Sequence, residues 1–219
     1  KIIMVFCDGI LIDEQSKKKR EISELNKIKT RGLNLNRIHN TKPIYRLDGD
    51  IRKQLFQGNF INISSVVLRK DTFNSVGGFD ERCFGIEDLD LWVRLAKENT
   101  FTYCSEKKKI CNWRSSSLSR MNEARMREIL EYYLRCYYSN AFSDLKDITL
   151  QNIYQCYKLI ILYFAKEWKP MKAFKVFFES LELQFFPKLL VYSILSIFGK
   201  MPIFFKTQVI NPLIKKQSA

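Results

Sequence analysis

Apolar residues fall along this chain in runs of differing length, and the lengths assign the elements. Ile2–Cys7 is a short continuous run ended by Asp8-Gly9, a turn-favouring pair, and predicts a buried strand that stops there. Asn62–Leu68 predicts a second strand. Asp71–Val76 predicts a brief helix closed by Gly77-Gly78, because glycine accepts the left-handed backbone that ends a helix. Leu89, Trp92, Val93 and Ala96 recur at i, i+3, i+4 and i+7, so the segment after Asp88 is a helix with one buried face. Phe101–Cys104 and Ile110–Trp113 predict two strands joined by the lysine run 107–109. Ser119 or Asn122 is placed to cap a longer helix reaching about Tyr138, with Tyr132, Tyr133, Tyr137 and Tyr138 along it. Residues 14–57 are polar, basic and weakly periodic, punctuated by Gly32, Pro43, Gly49 and Gly58. They predict a long excursion with some helix and no core element.

The pattern changes after residue 142. Gln151–Trp168, Met171–Phe186 and Leu189–Phe205 are apolar-rich and separated by Pro170 and Pro187. The longest stretch broken only by serine, Leu189–Phe198, has 10 residues, whereas a spanning helix needs about 20. These segments therefore predict helices that lie on a membrane or pack as a small bundle. The organisation expected is a mixed α/β domain over 1–141 followed by a helical, membrane-associated region over 142–219.

Charge sharpens that division. The net charge of +14 comes from two places. Residues 14–57 carry 12 basic and 5 acidic side chains, and residues 151–219 carry 10 and 3. In the second segment the lysines are threaded through aromatic and aliphatic residues. That pattern suits an anionic membrane surface better than a nucleic-acid groove, and no ordered basic–aromatic RNA-binding motif is present. An apolar content of 46% in 219 residues supports a real core. Six cysteines form no C-x-x-C pair and do not cluster with the single histidine, His39. They read as free thiols, with no zinc site and no disulfide scaffold. Lys1 leads straight into a core strand, which predicts further residues before it.

The segment richest in chemistry is GGFDERCFGIEDLDLWVRLA, residues 77–96. It sets Glu87-Asp88 at a loop-to-helix junction. Carboxylates there serve either as helix-terminal charges or as a positioned general base. The neighbours bear on the choice. A strand with Ser64-Ser65 and a basic pair Arg69-Lys70 precede Gly77-Gly78-Phe79-Asp80-Glu81. The Glu87-Asp88 helix follows, and then CNWRSSSLS at 111–119. This ordered set, with Ile2–Cys7, Asp8-Gly9 and Ile12-Asp13 ahead of it, resembles the C-terminal half of the catalytic domain of family 2 glycosyltransferases. The resemblance covers about residues 1–120.

The resemblance implies a GT-A, Rossmann-like fold and inverting transfer of a sugar from a nucleotide-sugar donor. The acceptor would be a glycan or a lipid-linked molecule, in cell-surface polysaccharide synthesis at the cytoplasmic face of the membrane. It makes Asp88 the general base and Glu87 its neighbour that orients the acceptor. Gly77 and Gly78 would shape the substrate site, and Arg114, assisted by Ser117 and Ser119, would approach the diphosphate. Arg114 is read equally well as a surface arginine at a strand end. Many relatives carry a histidine just after that arginine, where this chain has Ser115-Ser116. A divalent cation, Mn or Mg, is also implied, with its main ligands upstream of Lys1. Asp48-Gly49-Asp50 has the spacing of the family's aspartate motif but lies among polar residues and is taken as a decoy. Asp8 and Asp13 are taken as turn residues. The alternative is a non-catalytic membrane- or glycan-binding protein that retains half of the fold.

Overall fold

The computed structural model describes residues 2–83, 85–97, 100–113, 122–183 and 186–198. The chain forms two compact units, one from residues 1–120 and 135–149, the other from 121–134 and 150–219.

The first unit is a mixed α/β structure built on six strands: β1 (Met4–Asp13), β2 (Lys19–Ile22), β3 (Asn34–Arg37), β4 (Ile44–Asp48), β5 (Val66–Leu68) and β6 (Thr102–Trp113). Their order is β2-β1-β6-β4-β3, with β5 also paired to β1. β1 and β6 run parallel and the other pairings are antiparallel. Helices α1 (Leu25–Thr30), α2 (Ile51–Phe56), α3 (Lys70–Ser75) and α4 (Glu87–Leu95) complete the unit. The core gathers Met4 and Phe6 of β1, Leu47 of β4, Tyr103 of β6, Phe60, and Leu91 and Trp92 of α4. The Phe6 and Tyr103 rings lie 5.5 Å apart.

Four expectations change. β1 does not stop at Asp8-Gly9 but runs through it, as the register with β6 shifts on both sides of Asp8. The irregularity replaces the turn: a Cβ on Gly9 would meet the Lys109 side chain at 2.3 Å, so glycine lets that lysine cross the strand. Asp8 is buried, and its carboxylate accepts from the Glu24 amide at 2.8 Å and the Ser23 hydroxyl at 3.2 Å, which fixes the start of α1. Asp13 does hold a turn, accepting from the amides of Gln15 and Ser16.

Residues 14–57 are not an excursion outside the core. They supply β2, α1, β3, β4 and α2 and bury Ile28, Leu33, Leu47, Leu55 and Phe56. The two strands expected at 101–104 and 110–113 are one, β6, because pairing with β1 resumes across the two register shifts, with Lys107 opposite Asp8 and Lys109 opposite Gly9. Asn62–Leu68 is only half strand: Ile63–Ser65 is a 3-10 turn that Asn62 caps before β5 begins.

The second unit is helical. α5 (Glu123–Tyr138) starts behind Asn122, whose Oδ1 accepts from the Arg125 amide at 2.8 Å. α6 (Lys146–Lys166) buries Ile153, Cys156, Tyr157, Ile160, Ile161 and Phe164, one continuous helical stripe. Pro170 and Pro187 occupy the first turns of α7 (Pro170–Leu181) and α8 (Pro187–Leu195), where a missing amide hydrogen costs nothing. Residues 199–205 of the last apolar segment lie outside the described residues. Among those described, no helix is long and apolar enough to cross a membrane.

Candidate functional site

The loop that leads into α4 is fastened by arginines. α3 ends as the sequence predicts: Gly77 and Gly78 have φ of 81° and 70°, and Gly78 donates its amide to the Phe73 carbonyl at 3.0 Å. Arg94 of α4 then reaches back. Its Nη2 donates to the Gly78 carbonyl at 2.7 Å, its Nη1 to the Val76 carbonyl, and its Nε and Nη2 to buried Asp90 at 2.9 and 2.7 Å. One guanidinium thus ties the glycine turn to the helix that follows it.

Farther along, Asp80 accepts the amide and guanidinium of Arg82, whose side-chain hydrogen bonds hold the Asp80 carboxyl down at about 2. Arg135 of α5 donates to the Arg82 carbonyl at 2.9 Å and to Cys83 Sγ at 3.4 Å. Burial pushes the Cys83 thiol up to about 11, so this sulfur is a packed, protonated group. These bonds hold the loop in place, and it delivers Glu87 and Asp88 to the first turn of α4.

The residue before that turn, Ile86, offers no side-chain cap. Asp88 Oδ1 accepts from the Leu89 amide at 2.7 Å, and Oδ2 accepts from Asn59 Nδ2 at 3.0 Å. Asn59 is oriented in turn, since its Oδ1 accepts from the Ile61 amide at 3.0 Å and leaves the NH2 facing Asp88. Asp88 and Glu87 are both half-buried. Glu87 Oε2 is a buried atom with no hydrogen-bond partner among the described residues. The unsatisfied amides of a helix N-terminus favour negative charge beside them. The arrangement suits proton acceptance: one oriented carboxylate, with a second carboxylate beside it.

Asn59 is the site residue that sequence reasoning missed. It stands 29 positions from Asp88, at the junction between Gly58 and an apolar run, and no local periodicity marks it. Its role shows only when residues 59–61 and α4 meet. Gly77 and Gly78 carry a structural load as the C-terminal cap of α3 and as part of the Arg94 clamp. Ser64 and Ser65 direct their hydroxyls to Oδ1 and the carbonyl of Asn62, inside their own turn. Asp50 caps α2 through the Lys53 amide, and Asp48 pairs with Arg46, so both acids of Asp48-Gly49-Asp50 serve local structure. Arg114, Ser117 and Ser119 lie outside the described residues. Among the described residues no three His, Cys, Asp or Glu side chains form a group suited to a metal ion.

An open apolar groove of about 320 Å³ lies between β5, α3 and α4, lined by Ile63, Val66, Leu68, Phe73, Phe79 and Trp92 among others. Asp88 and Glu87 are not among its lining residues, so the carboxylate pair and the groove are separate features. No family model, no curated protein and no solved structure matches this chain.

Proposed function

We propose that the first unit carries the acceptor side of an inverting, nucleotide-sugar-dependent glycosyltransferase site of the GT-A class, with Asp88 as general base. The observation that carries this reading is the Asn59–Asp88 pair. An amide pinned by backbone holds one carboxylate oxygen at 3.0 Å, at a helix N-terminus, beside a second carboxylate. The ordered resemblance of residues 1–120 to family 2 enzymes supplies the reaction class.

Inverting transfer is an in-line displacement at an anomeric carbon through an oxocarbenium-like transition state. The acceptor oxygen forms its bond to that carbon as the bond to the nucleoside diphosphate breaks, and the acceptor hydroxyl proton passes to a carboxylate. Asp88 takes that proton, Asn59 keeps the carboxylate from rotating away, and Glu87 stands beside it as the neighbour that tunes it. The acceptor would be a glycan or a lipid-linked sugar. A divalent cation is implied by resemblance alone.

The test is transfer measured with a panel of nucleotide sugars and hydroxyl acceptors. Asp88→Asn is expected to lower kcat by about a thousandfold, the scale of a general base, while donor binding stays within a factor of about two. Asn59→Ala is expected to lower kcat by about tenfold with donor binding unchanged. Full turnover in Asp88→Asn removes the base assignment. Nucleotide-sugar binding without turnover in the wild-type protein would favour the non-catalytic glycan-binding alternative.

A further inference from the structure

The corner between α6 and α7 breaks two ordinary rules at one residue. Trp168 has a φ of 56°, in the left-handed region that favours glycine, and it is 62% exposed. The backbone there closes α6 as a helix end does, with the Lys169 amide donating to the Phe164 carbonyl at 2.9 Å and the Trp168 amide to the Ala165 carbonyl at 3.3 Å. A large aromatic at this position is strained and left mostly in water, so neither backbone preference nor core packing accounts for it.

The helices beside it repeat the anomaly. α7 buries Ala173, Val176 and Phe177 on one side and leaves Met171, Phe178 and Leu181 exposed on the other, Met171 by 81%. Met171 and Phe178 are seven residues apart and therefore share a face. α8 likewise buries Leu189 and Ser193 and exposes Val191 and Ile194.

Charge says what fits against these stripes. Lysines stand at 166, 169, 172 and 175, every third residue through the corner, and Lys188 opens α8. None of the five forms an ion pair among the described residues, and Lys172 lies 5.5 Å over the Phe164 ring. Glu179, the acid on α7, is held by Arg127 at 3.1 Å. Residues 151–219 contain ten lysines and no arginine. Lysine is the long, strongly hydrated cation that keeps its stem on apolar surface while its ammonium stays wet, and tryptophan is the aromatic that favours the lipid–water boundary.

We propose that the α6–α7 corner and the outer faces of α7 and α8 form an interfacial binding surface for an anionic lipid bilayer. Trp168, Met171 and Phe178 enter the headgroup–acyl boundary while Lys166, Lys169, Lys172 and Lys175 meet lipid phosphates. No described helix is long and apolar enough to span, so the unit lies along the surface. This surface stands independently of the glycosyltransferase reading, because its test needs no substrate.

The full chain is mixed with phosphatidylcholine vesicles containing or lacking phosphatidylglycerol, and bound protein is measured by flotation across a range of salt. The expected result is binding to the phosphatidylglycerol vesicles that falls with salt, with a blue shift of tryptophan emission that Trp168→Phe largely removes. Met171→Glu/Phe178→Glu, at exposed positions that spare the core, is expected to lower partitioning at least a hundredfold with circular dichroism unchanged. Lys166→Gln/Lys169→Gln is expected to lower it about twenty-fivefold, at roughly fivefold per lysine. Absent binding, equal binding to both vesicle types, or binding untouched by both double variants overturns the proposal. A vesicle-free dimer that Met171→Glu/Phe178→Glu dissociates would assign the surface to a second copy of the chain instead.

Discussion

Residues 77–96 and the α6–α7 corner both set basic side chains beside apolar ones, and they use them in opposite ways. In the first, Arg94 turns inward onto two carbonyls and buried Asp90, Arg82 forks onto Asp80 at the surface, and Arg135 joins them from α5. In the second, the cations are lysines without ion pairs among the described residues, next to exposed Trp168, Met171 and Phe178. The planar arginine fork organises a loop because it satisfies several acceptors at once, whereas the lysine ammonium stays hydrated and available to a partner. Charge alone therefore does not separate structure from recognition; the kind of cation and the company it keeps do.

The contrast is most easily broken at Arg94. Arg94→Ala leaves buried Asp90 without its cation and frees two carbonyls, and should cost about 3 kcal/mol. Arg94→Lys restores charge but not the fork, and should cost about 2 kcal/mol. Urea unfolding measures both. A loss below about 0.5 kcal/mol for Arg94→Ala would place this arginine with the solvated lysines.

Next in size is the glycine turn that Arg94 holds. A Cβ on Gly78 would stand 3.0 Å from the Phe73 ring at a φ of 70°, while one on Gly77 meets nothing within 4 Å at a φ of 81°. Gly78→Ala should cost about 2 kcal/mol and Gly77→Ala about 1 kcal/mol, both read as stability in thermal unfolding. If these glycines instead served a substrate, transfer would fall while stability held.

The parts of the fold that were legible in the sequence are those written in local chemistry. Gly77-Gly78 ended α3, the spacing of Leu89, Trp92 and Val93 gave α4, Asn122 capped α5, and Pro170 and Pro187 opened α7 and α8. What failed was written in non-local pairing. Asp8-Gly9 carries the local signature of a turn, yet β6 runs alongside and Lys109 crosses Gly9, so the strand continues. Lys107 and Lys108 interrupt apolar periodicity, but each finds a nearby carboxylate, Glu21 on β2 and Glu106, and both stay in β6. Residues 14–57 looked polar because their short strands expose much of their length. The buried positions, such as Ile28, Leu47 and Leu55, are too widely spaced to register as a period. At the candidate site Glu87-Asp88 was visible as a pair, and Asn59 was not, because a hydrogen bond across 29 positions leaves no local trace.

A smaller effect separates the two regions by pH. Asp80 is held near 2 by Arg82 and would return to about 4 in the unfolded chain. Its folded value is the lower one, so the stabilisation is complete above about pH 5 and is lost as pH falls through 4 toward 2. The pair is largely open to water, which limits the effect to about 1 kcal/mol or less. Asp80→Asn should remove that part of the acid sensitivity, seen as a shallower fall of unfolding free energy between about pH 5 and 2. Lys166→Gln/Lys169→Gln at the other corner should leave the same curve unchanged.

The smallest expected effect is the most telling for the lysine-rich corner. Trp168→Asn removes the largest side chain there, and in a packing role that loss would exceed about 2 kcal/mol. Trp168 sits at a φ of 56° and is mostly exposed. Asparagine tolerates the left-handed backbone, so relief of strain should offset the little packing the indole provides. The unfolding free energy should then stay within about 0.5 kcal/mol of wild type, while partitioning onto phosphatidylglycerol vesicles drops about tenfold. A stability loss above about 2 kcal/mol would make Trp168 a structural plug like Arg94, and the contrast between the two regions would disappear. A neutral variant that no longer binds vesicles would show that this corner keeps a strained tryptophan for a partner rather than for the fold.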